Sequence, residues 1–98
     1  MGLTFEWDPT KATGNFYKHN ITFEEAATVF EDWLSITVPD PDHSETEERH
    51  ITVGMSKRGR LLLVAHTERQ THVRIISARQ LTPRERRVYE RGNYRDQR

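Results

Sequence analysis

His50, His66 and Arg74 fall at intervals that strand pairing can turn into a single row. A hairpin centred on Arg58 pairs His50 with His66 and Thr52 with Val64. A second, centred near Gln70, pairs His66 with Arg74 and Val64 with Ile76. Two imidazoles and a guanidinium in a row are the parts needed to break an RNA phosphodiester without a metal. One group takes the 2′-hydroxyl proton, one protonates the leaving oxygen, and a cation steadies the phosphorane charge. The other reading of the row is a polar rim at the end of a sheet.

The arginines add to this. Residues 1–56 hold 3 Lys/Arg and 11 Asp/Glu, whereas residues 57–98 hold 12 Lys/Arg and 4 Asp/Glu, so a formal net charge of zero hides a strong asymmetry. Eleven of those twelve cations are arginine, the side chain suited to bidentate phosphate contacts. Arg60, Arg69, Arg74 and Arg79 lie on or beside expected strands, where side chains are held firmly. Arg84, Arg86, Arg87, Arg91 and Arg95 lie on the expected last helix and tail, where Glu85 and Glu90 give local pairs. The strand set points to phosphate binding, and the helix set to a solvated face or a partner contact.

Other groups carry less. Lys18-His19 can serve as a catalytic pair or as the cationic end of a helix. Asp40, Asp42, His43, Glu45, Glu47 and Glu48 crowd one stretch but lack a regular ligand spacing, so no metal site is expected there. Trp7 and Trp33 read as core or partner-contact residues, and Tyr89 as a packed residue or a proton donor.

These residues need a scaffold. Leu3–Trp7 reads as a short strand. Asp8-Pro9 starts a helix that runs to His19, with Asn20 as a left-handed stop and Gly14 as a weak point. Thr22-Phe23-Glu24-Glu25 is a capping box for a second helix ending near Glu31. Strands are expected at Leu34–Val38, Arg49–Ser56, Arg60–Thr67 and His72–Ala78, with an acidic loop from Pro39 to Glu48. Thr82-Pro83-Arg84-Glu85 opens a last helix that Gly92 ends. The order is β-α-α-β-β-β-β-α, an α+β fold. With the pairings above, one sheet face carries Ile51, Val53, Met55, Leu61, Leu63, Ala65, Val73 and Ile75, and it is expected to receive the two N-terminal helices. The other carries Thr52, Gly54, Leu62, Val64, Ile76 and Ala78 together with the histidine–arginine row.

Composition sets the outer bounds. Ninety-eight residues fit one domain, 1–98, with 92–98 expected as a flexible tail. The absence of cysteine rules out a disulfide frame and a thiolate zinc site. No apolar stretch approaches a membrane span, and the N-terminus lacks the pattern of a signal peptide, so a cytoplasmic location is expected.

One family resemblance gathers these pieces. Phe5-Glu6-Trp7-Asp8, Asn15, Lys18-His19-Asn20-Ile21-Thr22-Phe23-Glu24-Glu25-Ala26 and Val29-Phe30 resemble the opening of the BrnT toxin family. His43-Ser44, Glu47-Glu48-Arg49, Gly54, Gly59-Arg60-Leu61-Leu62, Thr67-Glu68-Arg69, Arg74-Ile75-Ile76-Ser77-Ala78-Arg79, Arg84-Glu85-Arg86-Arg87 and Tyr89-Glu90 continue it in order. The resemblance implies a RelE-like fold, with an antiparallel central sheet, two N-terminal helices and one C-terminal helix. It implies a type II toxin, a small endoribonuclease that inhibits translation and arrests growth, with no cofactor or metal. The implied partner is a BrnA-like ribbon-helix-helix antitoxin in a 2:2 complex, which contacts operator DNA through the antitoxin and represses its own operon. By position, Arg49, Arg60, Arg69, Arg74 and Arg79 become phosphate-handling candidates, with Glu68 and Lys18-His19 for proton transfer or RNA binding.

The expected reaction uses the RNA's own 2′-hydroxyl and leaves a 2′,3′-cyclic phosphate. Arg74 and Arg60 would steady the phosphorane, Arg69 and Arg79 would position the backbone, and His66 or Glu68 would move the proton. The competing reading is a non-enzymatic toxin or corepressor that grips a protein through its arginines. Cleavage of RNA by the pure protein separates the two.

Overall fold

The computed structural model describes residues 3–40 and 48–92. Most of the expected acidic loop and the expected flexible tail therefore lie outside the described residues. The elements are β1 (Thr4–Glu6), α1 (Pro9–His19), α2 (Phe23–Thr28) continued by a 3-10 turn at Val29–Glu31, β2 (Ile36–Pro39), β3 (Arg49–Met55), β4 (Leu61–Arg69), β5 (His72–Gln80) and α3 (Pro83–Glu90).

The helix ends follow their caps. Asp8 accepts from the Thr10 amide at 2.8 Å, Pro9 fills the first turn, and Asn20 closes α1 at φ 60°. Thr22 caps α2 by accepting from the Glu25 amide at 3.0 Å. The expected return bond from Glu25 is not made, because its carboxylate is turned to Arg60 and Ser56. The box on α3 is complete: the Glu85 amide donates to Thr82 Oγ1 at 3.1 Å, and the Thr82 amide to Glu85 Oε1 at 2.9 Å.

The five strands run in the order β1-β5-β4-β3-β2. β2 to β5 form an antiparallel meander, and β1 joins beside β5 in parallel, so the sheet is mixed. The β3–β4 register is the expected one, with Thr52 opposite Val64 and His50 opposite His66. The β4–β5 register is not. Its turn is the pair Gln70-Thr71, with Gln70 at φ 55°, which sets Arg74 opposite Thr67. A bulge between Ala65 and His66 then shifts the ladder again, so that Ile75 lies opposite His66 and Ala78 opposite Val64. The expected pairs His66–Arg74 and Val64–Ile76 do not form.

The faces change accordingly. Helices α1 and α2 pack on the face with Leu62, Val64, Ile75 and Ala78, against Ile21, Phe23, Ala26 and Val29. For β3 and β4 this is the reverse of the expected face. Leu61, Leu62, Val64 and Ala65 are all buried, so β4 gives no alternation to choose by. Gly54, which looks like a surface position, is where the chain of Val29–Ser35 comes closest. A Cβ there would stand 2.8 Å from Ser35 Cβ and 3.0 Å from Val29 Cγ1. Thr52 is fully buried but bonded, to Thr37 Oγ1 at 2.7 Å and to His66 Nε2 at 2.8 Å.

One buried side chain ties α1 to the sheet. Asn15 Nδ2 donates to Ala78 O at 2.9 Å and Ile21 O at 3.0 Å, and its Oδ1 accepts from the Ala78 amide at 3.0 Å. Among the described residues, no helix is long and apolar enough to cross a membrane.

Candidate functional site

The sheet face turned away from α1 and α2 gathers charge at one end. Arg49 pairs with Thr67, Thr67 with Arg74, and Arg74 with Glu6 across β3, β4, β5 and β1. Strand alternation puts these four residues on one face, opposite the core residues His66, Val73 and Ile75. Arg69 and His72, paired one step nearer the turn by two residues, extend the same face. Arg74 Nη1 donates to Glu6 Oε2 at 3.3 Å, and about a third of each side chain is open to solvent, 34% and 37%.

Farther along this face the floor is apolar. Ile36, Val38, Pro39, Ile51, Val53 and Leu63 line a groove of about 270 Å³ that Arg79 and Glu85 border at the base of α3. Arg79 grips Glu85 with two bonds, at 2.8 and 3.0 Å. That bond with Arg79, helped by the Thr82 amide, holds the Glu85 carboxyl down at about 2. Tyr89 donates to Leu34 O at 3.3 Å, which secures the other end of α3.

The expected site residues fall into three places. Arg49, Arg69 and Arg74 share the open face near the β4–β5 turn, with Arg79 farther along it. Arg60 stands before β4, seven residues from Thr67, roughly 20 Å away at strand spacing. Its Nε donates to Glu25 Oε2 at 2.9 Å, its Nη2 to Glu25 Oε1, and Ser56 Oγ donates to Glu25 Oε2 at 2.7 Å. The Arg60 bond lowers the Glu25 carboxyl and raises the guanidinium further. Arg60 Nη2 also reaches Asn20 O at 3.3 Å, so Lys18 and His19 neighbour Arg60 rather than Arg74. His66 and Glu68 lie on the helix side of the sheet.

His66 is fully buried, with the Phe30 ring edge-on at 4.9 Å and His50 stacked at 5.9 Å. Burial, with His50 adding to it, holds the His66 imidazole down at about 4, so it is neutral at physiological pH. Glu68 is exposed and, with Phe30, Thr37 and the residues Gln70, Thr71 and His72 around the β4–β5 turn, lines a cavity of about 340 Å³ at that end of the sheet. The structure therefore keeps His50 and His66 together and separates Arg74 from both.

Sequence reasoning gave no role to Glu6 or His72. Glu6 belongs to a strand whose parallel place beside β5 leaves no local sequence signal. Of the two tryptophans, Trp7 packs edge-on to Phe23 at 5.8 Å, while Trp33 is 89% exposed. Part of the acidic stretch, 41–47, is outside the described residues; among the described ones, no three His, Asp or Glu side chains gather to hold a metal ion.

Comparison with known proteins fits this arrangement. No curated relative matches the chain. The crystal structure of the Brucella abortus ribonuclease toxin, BrnT, has a similar fold, with a TM-score of 0.63 at 22% identity, over 83% of this chain and 99% of that one. The family model described as the ribonuclease toxin BrnT of type II toxin–antitoxin systems matches residues 7–85. With a match over most of its length, the chain belongs to the BrnT family of ribonuclease toxins.

Proposed function

We propose that the open face is an RNA-cleaving site, with the phosphate held between Arg74 and Arg49 and the flanking backbone held by Arg69. The observation that carries this reading is the row Arg49–Thr67–Arg74–Glu6 across four strands. Arg49 on β3 and Arg74 on β5 stand on either side of β4, roughly 10 Å apart at the backbone, so their long side chains can converge on one phosphate and offer it paired N–H donors. The RNA's 2′-hydroxyl attacks its own phosphorus, the guanidiniums steady the phosphorane, and a 2′,3′-cyclic phosphate and a 5′-hydroxyl leave. This chemistry asks for no metal. The apolar groove beyond the row is a floor for the neighbouring bases, with Arg79 at its far edge.

Arg60, Lys18 and His19 stand outside this reaction. Their surroundings favour a structural role for Arg60 and a helix-end role for the other two. The family implies an antitoxin partner. A BrnA-like ribbon-helix-helix protein would inhibit the toxin by laying an acidic segment over Arg49, Arg69 and Arg74, within a 2:2 complex that represses its own operon.

The test is RNA cleavage by the purified, antitoxin-free protein in EDTA, with analysis of the new ends. Wild type is expected to leave cyclic phosphates, and Arg74→Ala to lose about 10²–10³-fold in rate while keeping its thermal midpoint. An Arg74→Ala protein that cleaves at the wild-type rate removes the row from the mechanism. Growth arrest without cleavage turns the reading to a protein target.

A further inference from the structure

We propose that Glu6 is the general base and His72 the general acid of this reaction. The assignment deepens the RNA-cleaving reading above and rests on it.

A base on this face must touch the phosphate's neighbourhood without being sealed in the core. His66 is fully buried, and Glu68 lies on the opposite side of the sheet, one pair beyond Thr67–Arg74. Among the described residues, Glu6 is the carboxylate that the register sets directly beside Arg74. Their contact is long, 3.3 Å, and both side chains are partly open. A phosphate arriving at Arg74 would therefore meet a carboxylate already aimed at the same guanidinium. Arg74 then has two tasks. It binds the phosphate, and it orients the base.

The acid must stand on the other side of phosphorus, because the attacking and leaving oxygens are in line. His72 is exposed, two residues before Arg74 on β5, and is paired with Thr4 as Arg74 is paired with Glu6. Glu6 and His72 are thus diagonal neighbours across β1 and β5, roughly 7–8 Å apart along the backbone. That span leaves room for a phosphate between them. Thr71 Oγ1 lies 3.2 Å from His72 Nδ1, which leaves Nε2 as the nitrogen to face the leaving group.

The step balances without a co-reactant. Glu6 takes the 2′-hydroxyl proton as the 2′-oxygen bonds to phosphorus. The bond from phosphorus to the 5′-oxygen breaks, and His72 gives that oxygen its proton. The cyclic phosphate is left on one strand and a hydroxyl on the other.

The experiment uses the full chain and two RNA substrates, one ordinary and one with sulfur in place of the bridging 5′-oxygen. A thiolate leaves without a proton. Glu6→Gln should slow cleavage of both substrates about 10²–10³-fold and erase the acidic limb of the rate-against-pH curve. His72→Gln should slow the ordinary substrate about 10²-fold and cleave the sulfur substrate at the wild-type rate. Both variants should keep wild-type affinity for a 2′-deoxy strand that cannot react. Glu6→Asp, which keeps the carboxylate, should retain the acidic limb and so separates chemistry from lost packing. If wild type cleaves and Glu6→Gln matches it, the base is overturned. If the sulfur substrate fails to rescue His72→Gln, the acid is overturned. If wild type cleaves neither substrate, the RNA-cleaving reading itself falls.

Discussion

Two arginines of this chain show how surroundings decide a role. Arg74 makes one long contact with Glu6, and both side chains are about a third open to solvent. Arg60 is bound through two nitrogens to Glu25, whose side chain is only 4% exposed, and Ser56 completes that carboxylate's shell. Removing Arg60 leaves a desolvated negative charge with one hydroxyl for company. Arg60→Ala should therefore cost about 3 kcal/mol in urea unfolding, since breaking a buried pair on one side is worth about 3–5 kcal/mol and this guanidinium is partly open. Glu25→Gln with Arg60→Met, which removes both charges, should recover part of that loss. An Arg60→Ala protein as stable as wild type would contradict the lock. The contrast also bears on growth assays: Arg60→Ala is expected to act through lower stability and so less folded protein, and Arg74→Ala to weaken growth arrest at an unchanged level of folded protein.

At the scale of elements, the short-range signals were the legible ones. Asp8-Pro9, Asn20, Thr22 and Thr82-Pro83 all cap helices where the sequence put them, because a cap depends on residues within three or four positions. Gly59, at φ 80°, fixed the β3–β4 register in the same local way. The β4–β5 register depends on a bulge that no glycine or proline marks, and on Gln70 taking the left-handed conformation that glycine or asparagine would have announced. That shift broke the histidine–arginine row and moved Arg74 beside Thr67. The partnership of Glu6 with Arg74 joins residues 68 apart in sequence, and nothing local records it. The reading of Gly14 as a weak point leads to a prediction of its own. It lies inside α1 with nothing within 4 Å of where a Cβ would stand, and it is exposed. Gly14→Ala should raise stability by about 0.5–1 kcal/mol through lower backbone entropy in the unfolded chain. A thermal midpoint that fails to rise would mean that this helix turn is strained in a way its open surroundings hide.

Across the whole molecule, the opposite charges of the two halves meet. Glu6–Arg74, Glu25–Arg60 and Glu31–Lys57 each join the acidic N-terminal half to the basic C-terminal half. Of these, Glu25–Arg60 is the pair buried enough to hold the fold, while the more exposed Glu6–Arg74 and Glu31–Lys57 add little stability. The fold's response to acid is set first by a different group. His66 is held neutral inside, where only Thr52 bonds it, at Nε2, and its Nδ1 is buried with no partner. Its folded pKa is about 4 against an ordinary 6.5. Below pH 6.5 the unfolded chain takes up a proton at this residue that the folded chain refuses until about pH 4, so stability falls as pH drops through that window. The lowered carboxyls of Glu25 and Glu85 act later, since their contribution stays whole above about pH 4.5 and is lost only below it. Urea unfolding at pH 7.5 and pH 4.5 should therefore differ by about 2–3 kcal/mol, with most of the loss at His66. His66→Gln, which keeps a hydrogen-bonding group for Thr52 but does not titrate, should be nearly flat across the same interval. If wild type is equally flat, the imidazole is protonated without penalty, and the buried, neutral state that takes His66 out of the cleavage chemistry is wrong.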